Sequence, residues 1–216
     1  MAYRFPNIEN ADQRIREICI KGIDEKYSGA LKDIAVTRMK KELGYVSAQG
    51  SAAGYLCVIN ALNATGAAPN EFAIRGTAAA SLLSYVIGLS DIEPLKADPK
   101  LYPEFYYGIH GDRLPTFEMT VSLELQHRLL QYFDNYPGAD PVNRKYDSCN
   151  QLVGVYIGEL EEEMIGEYRH INTFYINFAV IQDEEGFREK LLMDDVIAVC
   201  HPKKYSDYVK CFGFKH

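Results

Sequence analysis

The segment from residue 72 to residue 121 constrains the fold most, because strand-like and helix-like patterns follow one another within it. Residues 72–74 (Phe-Ala-Ile) have the composition of a short apolar strand, and residues 75–77 (Arg-Gly-Thr) have that of the turn after it. The small and apolar residues of 78–87 predict a helix, and residues 114–121 predict a second short strand. Both kinds of element are therefore required within one stretch of chain.

The same mixture of patterns continues through the rest of the chain. In 172–182 a period of two places Phe174, Ile176 and Phe178 on one face, which is typical of a strand. Elsewhere apolar residues recur at helical spacing. The predicted helices are 11–27, 31–43, 55–62, 122–135, 184–193 and 203–211, and a further short strand is predicted at 196–200. The predicted fold class is therefore α/β (α+β mixed).

A Pro-, Gly-, Asp- and Asn-rich segment at 136–150 is the best candidate for a boundary between two units. It predicts a main domain at 1–138 and a smaller C-terminal lobe at 139–216.

The charge balance bears on possible partners. The formal net charge is −7 and the isoelectric point is about 5.3. A free-standing DNA-binding domain needs cations to replace counterions on phosphates, so this balance argues against strong autonomous binding of nucleic acid. The basic residues of the second predicted helix are interpreted as a solvated face. They are Lys32, Arg38, Lys40 and Lys41.

Five cysteines without a C-x-x-C pair indicate reduced, mostly buried thiols. The N-terminus lacks the apolar core of a signal peptide, and the apolar run at 78–89 is shorter than the ~20 residues that cross a bilayer. The sequence therefore predicts a cytoplasmic protein that makes no contact with membranes.

The turn and helix at 75–81 have the features of a phosphate-binding loop. Gly76 allows close approach of the backbone to an anion, and the first N–H groups of a helix attract negative charge. Thr77 and Ser81 add hydroxyl donors, and Arg75 can bind phosphate oxygens through two parallel hydrogen bonds. The Gly-Lys-Thr/Ser ending of a Walker loop is absent, and small residues that pack a helix tightly on a sheet would look the same.

Several motifs, in the same order, resemble bacterial replicative DNA polymerase III alpha subunits. After the Arg-Gly-Thr turn, residues 88–95 (Gly-Leu-Ser-Asp-Ile-Glu-Pro-Leu) are similar to the family's Gly-Ile-Thr-(Glu/Asp)-x-(Asp/Asn)-Pro-Leu. Residues 111–115 (Gly-Asp-Arg-Leu-Pro) resemble Gly-Asp-Lys-Val-Pro of the PolC branch, and residues 205–216 resemble a PolC stretch that ends in Ser-Gly-Leu-Ser-His. The resemblance covers residues 11–138 and the last dozen. It implies a nucleotidyltransferase-like palm, with a mixed sheet flanked by helices.

The resemblance also implies where catalytic carboxylates would lie. The family holds two divalent metals with the aspartates of an Asp-x-Asp strand, and Thr116 and Glu118 stand at those positions here. Thr116 is neutral, and Glu118 places its carboxylate one methylene further out, which suits Mg²⁺ poorly. Bound Mg²⁺ is therefore doubtful, and no zinc is expected because the family's cysteine-rich module is absent. The nominal candidates for a third carboxylate are Asp183, Asp194 and Asp195.

Three functional hypotheses follow. The first is a degenerate PolC-like palm without polymerase activity that keeps a nucleotide or phosphate site at Arg75, Gly76, Thr77 and Ser81. The second is an active DNA-directed nucleotidyltransferase with a rearranged carboxylate set that includes Glu118. The third is a structural remnant that binds a protein partner. DNA, if it is a partner, is expected to be bound weakly or only within a larger assembly.

Overall fold

The computed structural model describes residues 4–74, 76–97, 100–147, 149–159 and 173–180. The helices are α1 (Ala11–Lys26), α2 (Gly29–Gln49), α3 (Ala52–Ala64), a 3-10 helix (Gly76–Ala80), α4 (Leu82–Val86), α5 (Glu104–Tyr107) and α6 (Leu123–Asp134). The strands are β1 (Phe72–Ile74), β2 (Phe117–Val121), β3 (Val142–Tyr146), β4 (Leu152–Ile157) and β5 (Phe174–Val180). The elements predicted at 184–193, 196–200 and 203–211 lie outside the described residues.

The described strands form one five-stranded mixed sheet in the order β1-β2-β5-β4-β3. Strands β2 and β5 are parallel, and the other neighbours are antiparallel. With the helices that flank this sheet, the predicted mixed α/β class is confirmed. Strands β3, β4 and β5 follow residue 138 and belong to the same sheet as β1 and β2, and the division into two units stays a prediction.

The burial of helix α3 explains why its sequence is apolar nearly all round. Its residues are buried on almost every side, between α1, α6 and the sheet. Gly54 brings its backbone close to Phe117 and Phe174, since an added Cβ would lie 3.2 and 3.0 Å from their rings. None of the helices in the described part of the chain is both long and apolar enough to cross a membrane.

Helix α6 begins where the sequence predicts. The hydroxyl of Ser122 accepts a hydrogen bond from the backbone N–H of Leu125 at 3.2 Å, which is the geometry of an N-cap. Leu125, Leu129 and Phe133 are buried, at the spacing that turns one face of the helix towards the sheet. The helix predicted at 122–135 is therefore confirmed.

The continuous helix predicted at 78–87 is wrong. A 3-10 helix ends at Ala80, Ser81 adopts an extended conformation (φ −78°, ψ 136°), and α4 starts afresh at Leu82. The break has a physical cause, because the Ser81 side chain caps the new helix by accepting from the N–H of Ser84.

The solvated face predicted for the second helix is wrong at one position. The buried residues of α2 are Ala35, Met39, Glu42 and Val46, a stripe with helical spacing that includes an acid. The side chain of Arg38 is only 10% exposed, because its guanidinium turns towards the Glu42 carboxylate. An ion pair between them is thus part of the interior.

Two helical glycines provide a matched test of the packing between α1 and α4. A Cβ on Gly22 would lie 2.2 Å from the carbonyl oxygen of Val86, whereas a Cβ on Gly44 meets nothing within 4 Å. We expect Gly22→Ala to lower the free energy of unfolding by about 1–3 kcal/mol through overpacking. Gly44→Ala should raise it by about 0.5–1 kcal/mol through helix propensity. Urea denaturation measures both, and equal effects of the two substitutions would contradict the described helix packing.

Candidate functional site

The strand that precedes the predicted loop pairs with the strand that contains Glu118. Strands β1 and β2 are antiparallel, with Phe72 opposite Val121 and Ile74 opposite Met119. The end of β1 therefore lies beside the first half of β2, which contains Glu118. Because the 3-10 helix begins two residues after β1 ends, the 75–81 segment starts next to the Glu118 strand.

Of the four residues predicted to bind phosphate, Ser81 is described in full. Arg75 lies outside the described residues, and Gly76 and Thr77 are described by their backbone, which opens the 3-10 helix. Ser81 is fully buried, and its hydroxyl donates to Glu42 Oε2 at 3.0 Å. The phosphate-binding role of these residues stays a prediction.

The start of α4 already binds an anion, which is the carboxylate of Glu42. The backbone N–H of Leu82 donates to Oε1 at 3.1 Å, and that of Leu83 donates to Oε2 at 2.9 Å. Arg38 Nε donates to Oε1 at 2.8 Å. The carboxylate is 0% exposed, so these donors and Ser81 replace the water that a free carboxylate would hold.

Arg38 extends this network to the neighbouring segments. Its Nη2 donates to the carbonyl oxygen of Ala80 at 3.1 Å, and its Nη1 donates to that of Leu101. One ion pair on α2 therefore holds the end of the 3-10 helix, the start of α4 and the connector before α5. The sequence contained the signal for it: an acid at position 42 falls on the buried stripe, and a buried acid needs donors.

We expect Glu42→Gln to lower the free energy of unfolding by about 3–5 kcal/mol, because it leaves the Arg38 guanidinium buried without its counter-charge. Urea denaturation of the wild type and the variant measures the loss. A suitable control is Asp24→Asn, since Asp24 pairs with Lys32 at 2.9 Å on the surface with side chains 59% and 41% exposed. Asp24→Asn should lower the free energy of unfolding by about 0–1 kcal/mol. Equal losses in the free energy of unfolding for the two substitutions would contradict the structural role of the network.

Strand β2 has the alternation that its sequence predicts. Phe117, Met119 and Val121 are buried in the core, and Glu118 on the other face is half-buried. Thr116 immediately precedes the strand and is exposed. Further along the Glu118 face, Thr120 is fully buried, and its hydroxyl has no hydrogen-bond partner within the described part of the chain. The side chains on either side of Glu118 on this face are therefore neutral.

Across the sheet, Glu118 lies in a row with residues that the sequence reasoning missed. The parallel pairing of β2 and β5 places Asn177 opposite Glu118. Gly154 on β4 lies opposite Asn177, and Lys145 on β3 lies opposite Gly154. All four therefore belong to one face of the sheet, and the neighbour nearest to Glu118 on β5 carries an amide instead of a carboxylate.

Lys145 extends over this face towards β5. Its Nζ donates to Asn177 Oδ1 at 2.6 Å and lies 4.2 Å from the ring centre of Tyr175 and 5.7 Å from that of Tyr156. Both ring distances are in the range of cation–π attraction. We call Glu118, Asn177, Lys145, Tyr175 and Tyr156 the sheet-face cluster.

The charges of this cluster act on one another. Burial lowers the pKa of Lys145, and the negative charge of Glu118 works in the opposite direction. Burial raises the pKa of Tyr175, and the Glu118 charge adds to that rise. Among the described residues of this face, Glu118 thus contributes negative potential and Lys145 contributes a positive charge.

The described residues of this face do not fit the two-metal centre that the resemblance implies. Two divalent cations about 3.5–4 Å apart need several carboxylates, and the row contains Glu118 beside neutral Thr120 and Asn177. Within the described ranges, no three or more His, Cys, Asp or Glu side chains come together as metal ligands. The other nominal carboxylates, Asp183, Asp194 and Asp195, lie outside the described residues.

These features define an α/β domain with a mixed sheet, in which the strand before the 75–81 segment pairs with the strand that contains Glu118. The chain belongs to the family of the bacterial DNA polymerase III alpha NTPase domain, whose sequence model matches residues 13–146. It is 24% identical over 178 residues to the PolC-type DNA polymerase III of Thermotoga maritima, a match that covers 64% of this chain and 13% of that protein. It is 26% identical over 148 residues to the DNA polymerase III subunit alpha of Aquifex aeolicus, covering 65% and 12%. The match thus spans about one eighth of the length of these relatives.

Proposed function

We propose that this chain is a degenerate PolC-like palm domain that does not polymerise nucleotides and that keeps a binding role. The observation that carries the proposal is the composition of the sheet face. Glu118 has the neutral amide of Asn177 opposite it and the ammonium group of Lys145 next to that amide. Nucleotidyl transfer with two metal ions needs several carboxylates on this sheet face. A fixed positive charge on the same face opposes the binding of divalent cations.

The binding role concerns nucleotide phosphates and rests on Arg75, Gly76 and Thr77. The donors at 81–83 are engaged by Glu42, so a bound phosphate would depend on the turn that precedes them. Arg75 keeps its charge at any physiological pH and can donate two parallel hydrogen bonds to phosphate oxygens. The backbone at Gly76 gives such a ligand room for close approach.

The setting of this role is a larger assembly in the cytoplasm. The relatives are DNA polymerases of about eight times the matched length, and the net charge of −7 disfavours DNA binding by this chain alone. A protein partner of the replication machinery supplies the DNA contacts in this proposal.

We expect the wild type and Glu118→Gln to show the same background in primer-extension assays with Mg²⁺ or Mn²⁺. The reason is that one carboxylate cannot hold the two metals that stabilise the attacking and leaving oxygens. Thr116→Ala serves as a matched control at the neighbouring family position. Extension by the wild type that Glu118→Gln abolishes would overturn the proposal in favour of an active nucleotidyltransferase with a rearranged carboxylate set.

We expect isothermal titration with a deoxynucleoside triphosphate to give heat without added metal, and Arg75→Ala to weaken that binding about 10–100-fold. The loss corresponds to a charge-assisted hydrogen bond of about 1.5–3 kcal/mol. Arg113→Ala is the control, because Arg113 is exposed and its Nη1 donates to the carbonyl oxygen of Phe105. If the wild type gives no heat at millimolar nucleotide, the proposed phosphate site is wrong. The hypothesis of a structural remnant that binds a protein partner is then favoured.

A further inference from the structure

The position of Lys145 has a consequence beyond the loss of polymerisation. In the row Glu118–Asn177–Gly154–Lys145, the last residue belongs to the far edge strand of the sheet. Neighbouring strands lie about 4.8 Å apart, so the Cα atoms of Lys145 and Glu118 are separated by about 14 Å. The lysine side chain nevertheless brings its Nζ to 2.6 Å from Asn177 Oδ1, above the strand that pairs with that of Glu118.

Gly154 keeps the path between them open. It contributes no side chain to the face that Lys145 crosses, and a Cβ there would lie 2.0 Å from the carbonyl oxygen of Ile176 on β5. A larger residue at this position would displace backbone, so the close approach of β4 and β5 requires glycine. The opening over which Lys145 extends is therefore a fixed feature of the sheet.

The ammonium group is held in place from several directions. Asn177 Oδ1 accepts a hydrogen bond from it, and the centres of the Tyr175 and Tyr156 rings lie 4.2 and 5.7 Å away. Tyr156 and Tyr175 are themselves opposite one another in the sheet, with ring centres 6.3 Å apart. A side chain fixed by an amide and two rings has lost the freedom of an ordinary surface lysine.

We infer that Lys145 is a tethered cation that takes the place of a divalent metal as the counter-ion of Glu118. The inference rests on the proposed loss of two-metal chemistry and identifies the residue that replaces the metal charge. Glu118 is half-buried, and the ammonium group of Lys145, held by Asn177 on the neighbouring strand, offsets its negative charge through space. Lys145 also excludes divalent cations from this face, because a fixed ammonium repels them at short range.

A double-mutant cycle tests the charge coupling in the folded protein. Lys145→Met keeps an unbranched apolar side chain and removes the charge, and Glu118→Gln removes the opposite charge. We expect Lys145→Met to lower the urea midpoint clearly in the wild type and much less in the Glu118→Gln background, because the coupling is then already lost. A lysine that only packs between two tyrosine rings would cost the same in both backgrounds, and that result would overturn the inference.

Metal binding provides a second, independent readout. Free Mn²⁺ measured by electron paramagnetic resonance should not decrease when wild type, Asn177→Asp or Lys145→Arg is added. It should decrease with the double variant Lys145→Met/Asn177→Asp, in which two carboxylates face each other without the ammonium. Adding Glu118→Gln to that variant should abolish the binding. Circular dichroism confirms folding, and Lys145→Gln replaces Lys145→Met if the latter does not fold.

The outcomes separate the two proposals. Mn²⁺ binding at this face by the wild type, lost in Glu118→Gln, would overturn the proposed function together with this inference. If Asn177→Asp alone binds Mn²⁺ as tightly as the double variant does, or if the folded double variant binds none, Lys145 is not the excluding cation. The proposed function would then stand without this inference.

Discussion

The carboxylate of Glu42 accepts hydrogen bonds from the Arg38 guanidinium, the Ser81 hydroxyl and the backbone N–H groups of Leu82 and Leu83. Through these contacts helix α2 fixes the place where the 3-10 helix ends and α4 begins. A buried ion pair contributes favourably only when its remaining polar atoms are satisfied. Arg38 meets that condition by donating to two backbone carbonyls as well. The break between the 3-10 helix and α4 depends on this arrangement.

Two carboxylates of the chain, Glu42 and Glu118, have different surroundings. At the start of α4 the buried Glu42 carboxylate accepts the hydrogen bonds of Ser81, Leu82 and Leu83, and these donors are satisfied within the protein. On the sheet face, Glu118 stands among neutral side chains with Lys145 as the nearby cation. In this domain of the polymerase family, the Glu42 carboxylate is thus paired inside the protein, and the ammonium group of Lys145 lies on the same sheet face as Glu118.

Much of this architecture could be predicted from sequence, because it depends on local patterns. The alternation of Phe117, Met119 and Val121 against Glu118 determines which face of β2 is buried. Ser122 lies before an amphipathic helix and caps it, as such residues commonly do. The continuous helix at 78–87 could not be excluded locally, since its break depends on Ser81 and on a carboxylate of a distant helix.

The sequence by itself determined the mixed class of the fold, the buried faces of β2 and α6, and the presence of one carboxylate at positions 116 and 118. These properties follow from side-chain periodicity and residue type, which are readable along the chain. Tertiary structure alone decided that Asn177 lies opposite Glu118 and that Lys145 extends across Gly154 to donate a hydrogen bond to Asn177. Strand order and register bring together residues distant along the chain, and no local pattern carries that information.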